Sequence, residues 1–434
     1  MNKKKYILWL LIILLFPINI LALDVQNSKI TINNNITKKL TDNNYNTKEI
    51  IKGNSKIHIN NPNSIKHLYI IYELASQIGS ITINNEVIEI GSNNYLHEYI
   101  DLTKYNSNDL FISYDKDVII SEIYIFSDNN LPTWVQKWQT INQADLMLFS
   151  THSDDEHLFF GGLIPTYLNQ RYQIQVVYLI HHNSEPNRLH EQLNGLWAVG
   201  LTNYPVIGLF PDAYSTSLKG ALNNLEINGF NLDNVIQFQV HNIRKYRPKV
   251  VVGHDEEGEY SHGQHILNTF ALKTALIKAN DPNYKNIYSI YDVPKVYLHL
   301  YKNNPIILNY DIPLSKYNGA TAYEVSKKGY LQHKSQQYTW FTDWFNGKNN
   351  GYTSATQITK YSPIEFGLYK SNVGEDILKN NMFENIKWDN KHTTNFTIYE
   401  FQQIILDKII YLSIILLTIP IIILITSKTK TKKK

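Results

Sequence analysis

At 434 residues, with 43% hydrophobic and 18% charged residues, the chain is long enough for two modules with appendages and too apolar to be disordered throughout. Lysine and arginine (41) nearly balance aspartate and glutamate (38), and part of the basic excess sits in the two tails, so no basic stripe argues for nucleic acid. The absence of cysteine excludes disulfides, thiolate metal ligands and a cysteine nucleophile.

Residues 1–5 are basic and residues 6–23 apolar, the pattern of a secretory signal peptide or a retained anchor. Residues 24–64, rich in Asn, Lys and Thr with isolated Ile, read as a spacer or as a few weak strands. From 65 to 130, short runs of β-branched and aromatic residues such as HLYIIYEL and VIISEIYIF are separated by turn residues. They predict a small β-sandwich-like module. Its functional reading is a carbohydrate-binding module, and its bland reading a spacer or a lid packed on the next domain. The bland reading is preferred, since a fold alone does not carry function.

Residues 131–142, with Pro132, Trp134 and Trp138, link the modules. Strand and helix patterns then alternate. Strands are predicted at 145–150, 175–180, 205–210, 249–253 and 296–301, and helices at 156–169, 188–199, 232–245 and 263–278. That order predicts an α/β domain, a Rossmann-like and mostly parallel sheet with helices on both faces, over residues 140–388. The mixed, aromatic-rich region 321–386 is expected to pack onto it. Residues 409–426 are uncharged and followed by a Lys-rich tail, 427–434, which predicts a transmembrane helix with the tail in the cytoplasm. The same rule keeps the N-terminus inside, so the catalytic domain is expected at the cell membrane on the extracytoplasmic side.

Polar residues collect where such a sheet places its site, after the strands. The stretch from 144 to 162 reads ADLMLFSTHSDDEHLFFGG, a buried strand that delivers His152, Asp154, Asp155 and Glu156 to one turn. That much charge calls for a cation or dense hydrogen bonding. Histidine and carboxylate are good zinc ligands, and catalytic zinc takes three protein ligands plus water. Asp154 and Asp155 are neighbours whose side chains diverge, so one can bind metal while the other faces the metal-bound water. A third ligand is expected from GHDEEGEYSHGQH, residues 253–265, where His262 and His265 lie three apart at a predicted helix start. His181 and His182 after the second strand, and Asp212 after the third, are candidates to line the substrate site. His157 and His190 read as packing or surface residues, and His254 as support for the metal loop. Glu256, Glu257 and Glu259 read as solvation of that loop, and Glu156 as a helix cap.

These motifs resemble the PIG-L/LmbE-like deacetylases, zinc-dependent N-deacetylases of amino-sugar conjugates. The family's strand followed by HPDDE and a Gly pair appears as HSDDEHLFFGG, and its GxYGHxDH-like loop as GEYSHGQH. Its R-x-x-E before a helix ending in Gly appears as Arg188 to Glu191 with Gly200, and its Pro-Asp as Pro211 and Asp212. Looser matches run through Tyr330 to Gln336 and Phe366 to Asp376, so the likeness covers about residues 140 to 388. It implies zinc on His152, Asp155 and His265, with other divalent metals also possible. It implies Asp154 as general base, His262 stabilising developing charge or protonating the leaving amine, Tyr260 polarising the amide carbonyl, and Arg188 and Asp212 on the substrate. Ser153 stands where the family has Pro, which affects turn stiffness, and Gln264 where it has Asp, which bears on the tuning of His262. The expected function is a membrane-tethered zinc N-deacetylase acting on an N-acetyl amino sugar in a glycan or glycolipid. A metal-dependent amidase on another acyl conjugate and an inactive surface glycan-binding protein are the alternatives. The intact base and ligand set argues against the last.

Overall fold

The structure is a computed structural model and describes residues 28–388. The apolar stretches at 6–23 and 409–426 lie outside the described residues. Among the described residues, no helix is long and apolar enough to cross a membrane. Their strands and helices lie in one compact unit that ends at Glu384.

The N-terminal part is built from β1 (Lys29–Ile32), β2 (Asn35–Ile36), β3 (Glu49–Ile51), β4 (Lys56–Asn60), β5 (His67–Tyr72), β6 (Gly79–Ile83), β7 (Glu86–Ile90), β8 (His97–Asp101), β9 (Asp109–Tyr114) and β10 (Val118–Phe126). They form two antiparallel sheets, β2-β1-β4-β9-β6-β7 and β3-β10-β5-β8. One apolar cluster joins them, and in it Ile30, Ile51, Ile57 and Ile59 sit with Ile70, Ile112 and Ile123. Of the two readings of the stretch at 24–64, the described residues 28–64 bear out strands, four of them, rather than a spacer. Its isolated isoleucines are the inward positions of period-2 strands: in β4, Ile57 and Ile59 are buried while Lys56 and Asn60 face out.

The C-terminal part carries a seven-stranded sheet in the order β13-β12-β11-β14-β15-β17-β16. Its strands are β11 (Leu146–Ser150), β12 (Ile174–His181), β13 (Val206–Pro211), β14 (Val250–Gly253), β15 (Lys295–His299), β16 (Pro305–Ile307) and β17 (Glu365–Ser371). The first five are parallel, whereas β17 runs antiparallel to β15 and β16. Strands β11 and β14 are buried at every residue, as in a sheet covered on both faces. The chain leaves β11 toward β12 on one side and reaches β14 on the other, which makes their carboxyl ends the topological switch point where such folds hold ligands.

The helices are Leu163–Asn169, Asn187–Ala198, Leu218–Ile227, Leu232–Tyr246, Gly263–Ala279, Ala322–Tyr330 and Trp340–Asn346. The first begins at Leu163, seven residues later than the sequence pattern predicts, and residues 153–162 form a run of turns. Gly162 sets that start: its φ is 106°, and a Cβ there would lie 2.3 Å from the Tyr310 ring. Glu156 therefore caps no helix. The N-terminal sheets dock on the helix Asn187–Ala198 and its surroundings. His97 Nε2 is 2.8 Å from His190 Nδ1, Leu96 N donates to the Tyr204 hydroxyl at 2.9 Å, and Tyr95 stacks on Tyr204.

Candidate active site

The turn after β11 and the loop after β14 meet at three atoms. His152 Nδ1 is 3.1 Å from His265 Nε2 and 3.4 Å from Asp155 Oδ2, and His265 Nε2 is 3.3 Å from that same oxygen. Ligands bonded to zinc at about 2.0–2.2 Å in a tetrahedron stand roughly 3.3–3.6 Å apart, so the spacing fits a metal. The ring protons fit as well. His265 Nδ1 donates to Glu259 Oε2 at 2.7 Å, and His152 Nε2 to Gln264 Oε1 at 3.1 Å. The other nitrogen of each ring then turns its lone pair to the centre. All three side chains are buried, and a divalent cation there would balance the carboxylates around them. Burial alone would raise the Asp155 carboxyl, but His265 and the bonds from His152 and His265 hold it well below its ordinary range. Burial disfavours charge on His265, yet Asp155 and Glu259 push it up to about 10, so metal and proton compete for its Nε2.

Asp154 stands beside this centre in a strained backbone, with φ of 123°, and strain of this kind persists only where the surroundings fix it. Its amide donates to Glu156 Oε2 at 3.0 Å. Burial lifts its carboxyl well above the ordinary range and the neighbouring Asp155 and Glu156 add to this, while Arg188, 3.7 Å away, counters them. Arg188 is itself 9% exposed. Its guanidinium donates to the Ser153 carbonyl at 3.0 Å and to Asp212 at 3.4 Å, so it braces the turn from behind. Asp212 receives His182 Nδ1 at 3.0 Å and keeps a side chain 28% exposed. Burial opposes its charge, but the His182 bond together with His152 and Arg188 holds the carboxyl well below its ordinary range.

His182 has a place different from the expected substrate lining. It is buried, with Nδ1 on Asp212 and Nε2 accepting from Ser153 N at 3.2 Å, which leaves no nitrogen for a ligand. His181 is half-buried with an unpartnered Nδ1. His262 caps the helix Gly263–Ala279: its Nδ1 accepts from Gln264 N at 3.2 Å, which puts its proton on Nε2. Burial, reinforced by His152 and His265, lowers it to about 2. Tyr260 sits at a positive φ of 46° in the turn Glu259–Ser261, its ring edge-on to His262 and Trp340. Tyr214, 66% exposed, meets His262 from the other side.

Glu259 is the residue that the sequence reading undervalues. It is fully buried, and burial would raise it, but three histidines hold it well below its ordinary range. Its Oε2 accepts from His254 Nδ1 (2.8 Å) and His265 Nδ1 (2.7 Å), and its Oε1 from His299 Nδ1 (2.6 Å) and Asp255 N (3.2 Å). A signal was present: a metal-bound histidine needs an acceptor for its other N–H, and Glu259 is one of the three glutamates in the loop. Gln264 contacts His152 and the end of β13, with Nε2 donating to the Pro211 carbonyl at 2.8 Å. Its side chain thus serves a metal-ligand position, while only its backbone meets His262.

Residues 147–276 match the family model described as PIG-L, GlcNAc-PI de-N-acetylase. These residues form a PIG-L domain. The chain is 31% identical over 176 residues to 1D-myo-inositol 2-acetamido-2-deoxy-alpha-D-glucopyranoside deacetylase 2 of Saccharopolyspora erythraea, covering 35% of this chain and 63% of the relative. It is 27% identical to the corresponding deacetylase of Geodermatophilus obscurus, covering 35% and 60%. The match therefore spans less than two thirds of either relative's length. Among solved structures, N,N'-diacetylchitobiose deacetylase from Pyrococcus horikoshii aligns with a TM-score of 0.36 at 16% identity, over 52% of this chain and 84% of that one.

Proposed function

We propose that the chain is a metal-dependent N-deacetylase that hydrolyses the acetamide of an N-acetyl amino sugar. The observation that carries the reading is the convergence of His152 Nδ1, Asp155 Oδ2 and His265 Nε2 beside an unligated, buried Asp154. The amino-sugar class draws on the PIG-L match and on relatives named as deacetylases of acetamido sugars. A metal held by His152, Asp155 and His265 would supply an acidified water, with its pKa brought to about 7, and a Lewis acid for the acyl oxygen; zinc suits this donor set.

The chain's own groups supply the rest. Asp154, its carboxyl raised by burial, accepts the proton of the attacking water and passes it toward the leaving nitrogen. His262 is held neutral with its proton on Nε2, so it acts as a hydrogen-bond donor to the oxygen that gains charge. Burial likewise keeps the Tyr260 hydroxyl protonated, a second donor of the same kind. The exposed rings of Tyr214 and Trp340 border the His262–Tyr260 pair and offer apolar faces to a sugar ring. Asp212, partly exposed, accepts sugar hydroxyls. Tethering to a membrane with the site outside the cytoplasm is part of the proposal and rests on the apolar stretches 6–23 and 409–426. Protease added to intact cells should remove the central domain, and full protection would reverse that orientation.

The zinc-loaded protein should release acetate from at least one N-acetylhexosamine-containing glycan. Asp154→Asn should keep its metal and lose about 10²–10⁴-fold in rate. Loss of metal in this variant would mean that Asp154 and Asp155 exchange roles. A zinc-loaded protein inert on N-acetylated sugars but active on other amides would move the assignment to a different amidase.

A further inference from the structure

One residue beyond Asp155, the chain turns a second set of ligand-type side chains inward. Glu156 and His157 are 1% and 0% exposed, and His333, just past the helix Ala322–Tyr330, meets them at 0%. Glu156 Oε1 is 3.3 Å from His157 Nε2 and 3.5 Å from His333 Nε2. One ligand atom from each of the three residues can be chosen so that all lie within 4.8 Å of one another. Glu156 Oε1 and both ring nitrogens of His157 and of His333 make no hydrogen bond of ordinary geometry among the described residues, and the buried Tyr178 hydroxyl is the neutral donor that faces the Glu156 carboxylate. A buried polar atom left without such a bond is destabilising, and one such atom from each of the three residues lies close to the others, where a single ion could take all three.

Proton sharing does not resolve this geometry well, because N–H···O bonds are about 2.7–3.2 Å long and both contacts exceed that. They match instead the roughly 3.3–3.6 Å edge of a tetrahedral coordination sphere, the spacing already seen among His152, Asp155 and His265. The fold also clears room for the two rings. A Cβ on Gly195, in the helix Asn187–Ala198, would lie 2.7 Å from both His157 Nε2 and His333 Nε2. One on Gly329, in the helix Ala322–Tyr330, would lie 2.4 Å from the His157 ring. Two helices thus present glycine where any larger residue would displace the imidazoles.

We propose that Glu156, His157 and His333 bind a second divalent transition metal, structural in role. Two imidazoles and a carboxylate suit zinc or a similar borderline ion. Because Glu156 Oε2 accepts the Asp154 amide, an ion on Oε1 would fix, through one carboxylate, the strained backbone that presents Asp154. It would also tie the turn after β11 to the segment following Ala322–Tyr330. The site is distinct from the His152–Asp155–His265 centre and does not depend on which substrate is cleaved.

The full chain, purified and dialysed against metal-free buffer, should carry two divalent ions by mass spectrometry. Asp155→Ala combined with His265→Ala should retain one, and His157→Leu should also retain one. Zinc-edge X-ray absorption on the Asp155→Ala, His265→Ala protein should show two imidazoles and a carboxylate at about 2.0–2.2 Å. This measurement stands even if His157→Leu fails to fold. One ion in the unaltered chain, with none left in the Asp155→Ala, His265→Ala protein, overturns the proposal.

Discussion

Glu259 and Asp212 lie on either side of β11, one in the loop after β14 and the other at the end of β13, and each gathers histidine. Glu259 is fully buried and saturated: three imidazoles and one backbone amide occupy its two oxygens. Asp212 meets two imidazoles, His182 at 3.0 Å and His152 at 3.6 Å, and one guanidinium, yet keeps more than a quarter of its side chain in the open. Similar partners therefore serve different ends. The closed carboxylate fixes the tautomer and tilt of His265 and has nothing left to offer a ligand. The open one keeps part of its surface accessible, with His182, His152 and Arg188 keeping it charged.

The largest effect expected from this contrast comes from emptying the closed side. Glu259→Ala leaves His254, His265 and His299 without their acceptor and should cost about 3–5 kcal/mol of stability, read as a lower urea midpoint. A loss under about 1 kcal/mol would show that the hub is not structural. Glu259→Gln keeps the shape and weakens the acceptor, so metal affinity should fall about 10–100-fold in a competition titration, with kcat near normal once metal is saturating. On the open side, Asp212→Asn should leave metal content unchanged and lower kcat/KM roughly 10–100-fold, the scale of a charged hydrogen bond.

The same substitution has a pH signature. The Asp212 carboxyl is depressed in the folded state. Its stabilisation is therefore complete above the unfolded carboxylate value of about 4 and is lost as pH falls below that. Asp212→Asn should flatten the acid limb of the stability profile and leave the neutral region's slope unchanged; an unchanged acid limb would place the carboxylate outside the folded network. Smallest is Tyr214→Ala, which removes one exposed ring beside His262 and should raise KM by a few fold, about 0.5–1.5 kcal/mol of ring contact, without altering kcat.

How much of this was legible in the sequence follows from range. Strand β11 and the turn after it are contiguous, so an all-apolar run ending in HSDDE announces both the strand and its cargo. His265 was legible because its spacing from His262 survives at the helix start. The role of Glu259 was not, because it is defined by His299, forty residues away on β15, and nothing local separates Glu259 from Glu256 or Glu257. The antiparallel strand β17 and the aromatic helix Trp340–Asn346 were hidden for the same reason, since their partners lie on β15, β16 and the Tyr260 loop. In the N-terminal part the asparagine-rich composition obscured the period-2 isoleucines of β1 and β4, so a spacer and a few weak strands read alike.

Ser153 carries a consequence about which sequences this turn can share. Its amide N–H donates to His182 Nε2, and that bond fixes the ring so that Nδ1 serves Asp212. A proline at 153, as in the HPDDE pattern, has no such hydrogen. Exchanging Ser153 for proline alone would leave the buried His182 Nε2 without its donor, and exchanging His182 alone would leave a buried amide without its acceptor. The two positions are therefore coupled physically: a double exchange of Ser153 and His182 should cost less stability than the two single exchanges added together.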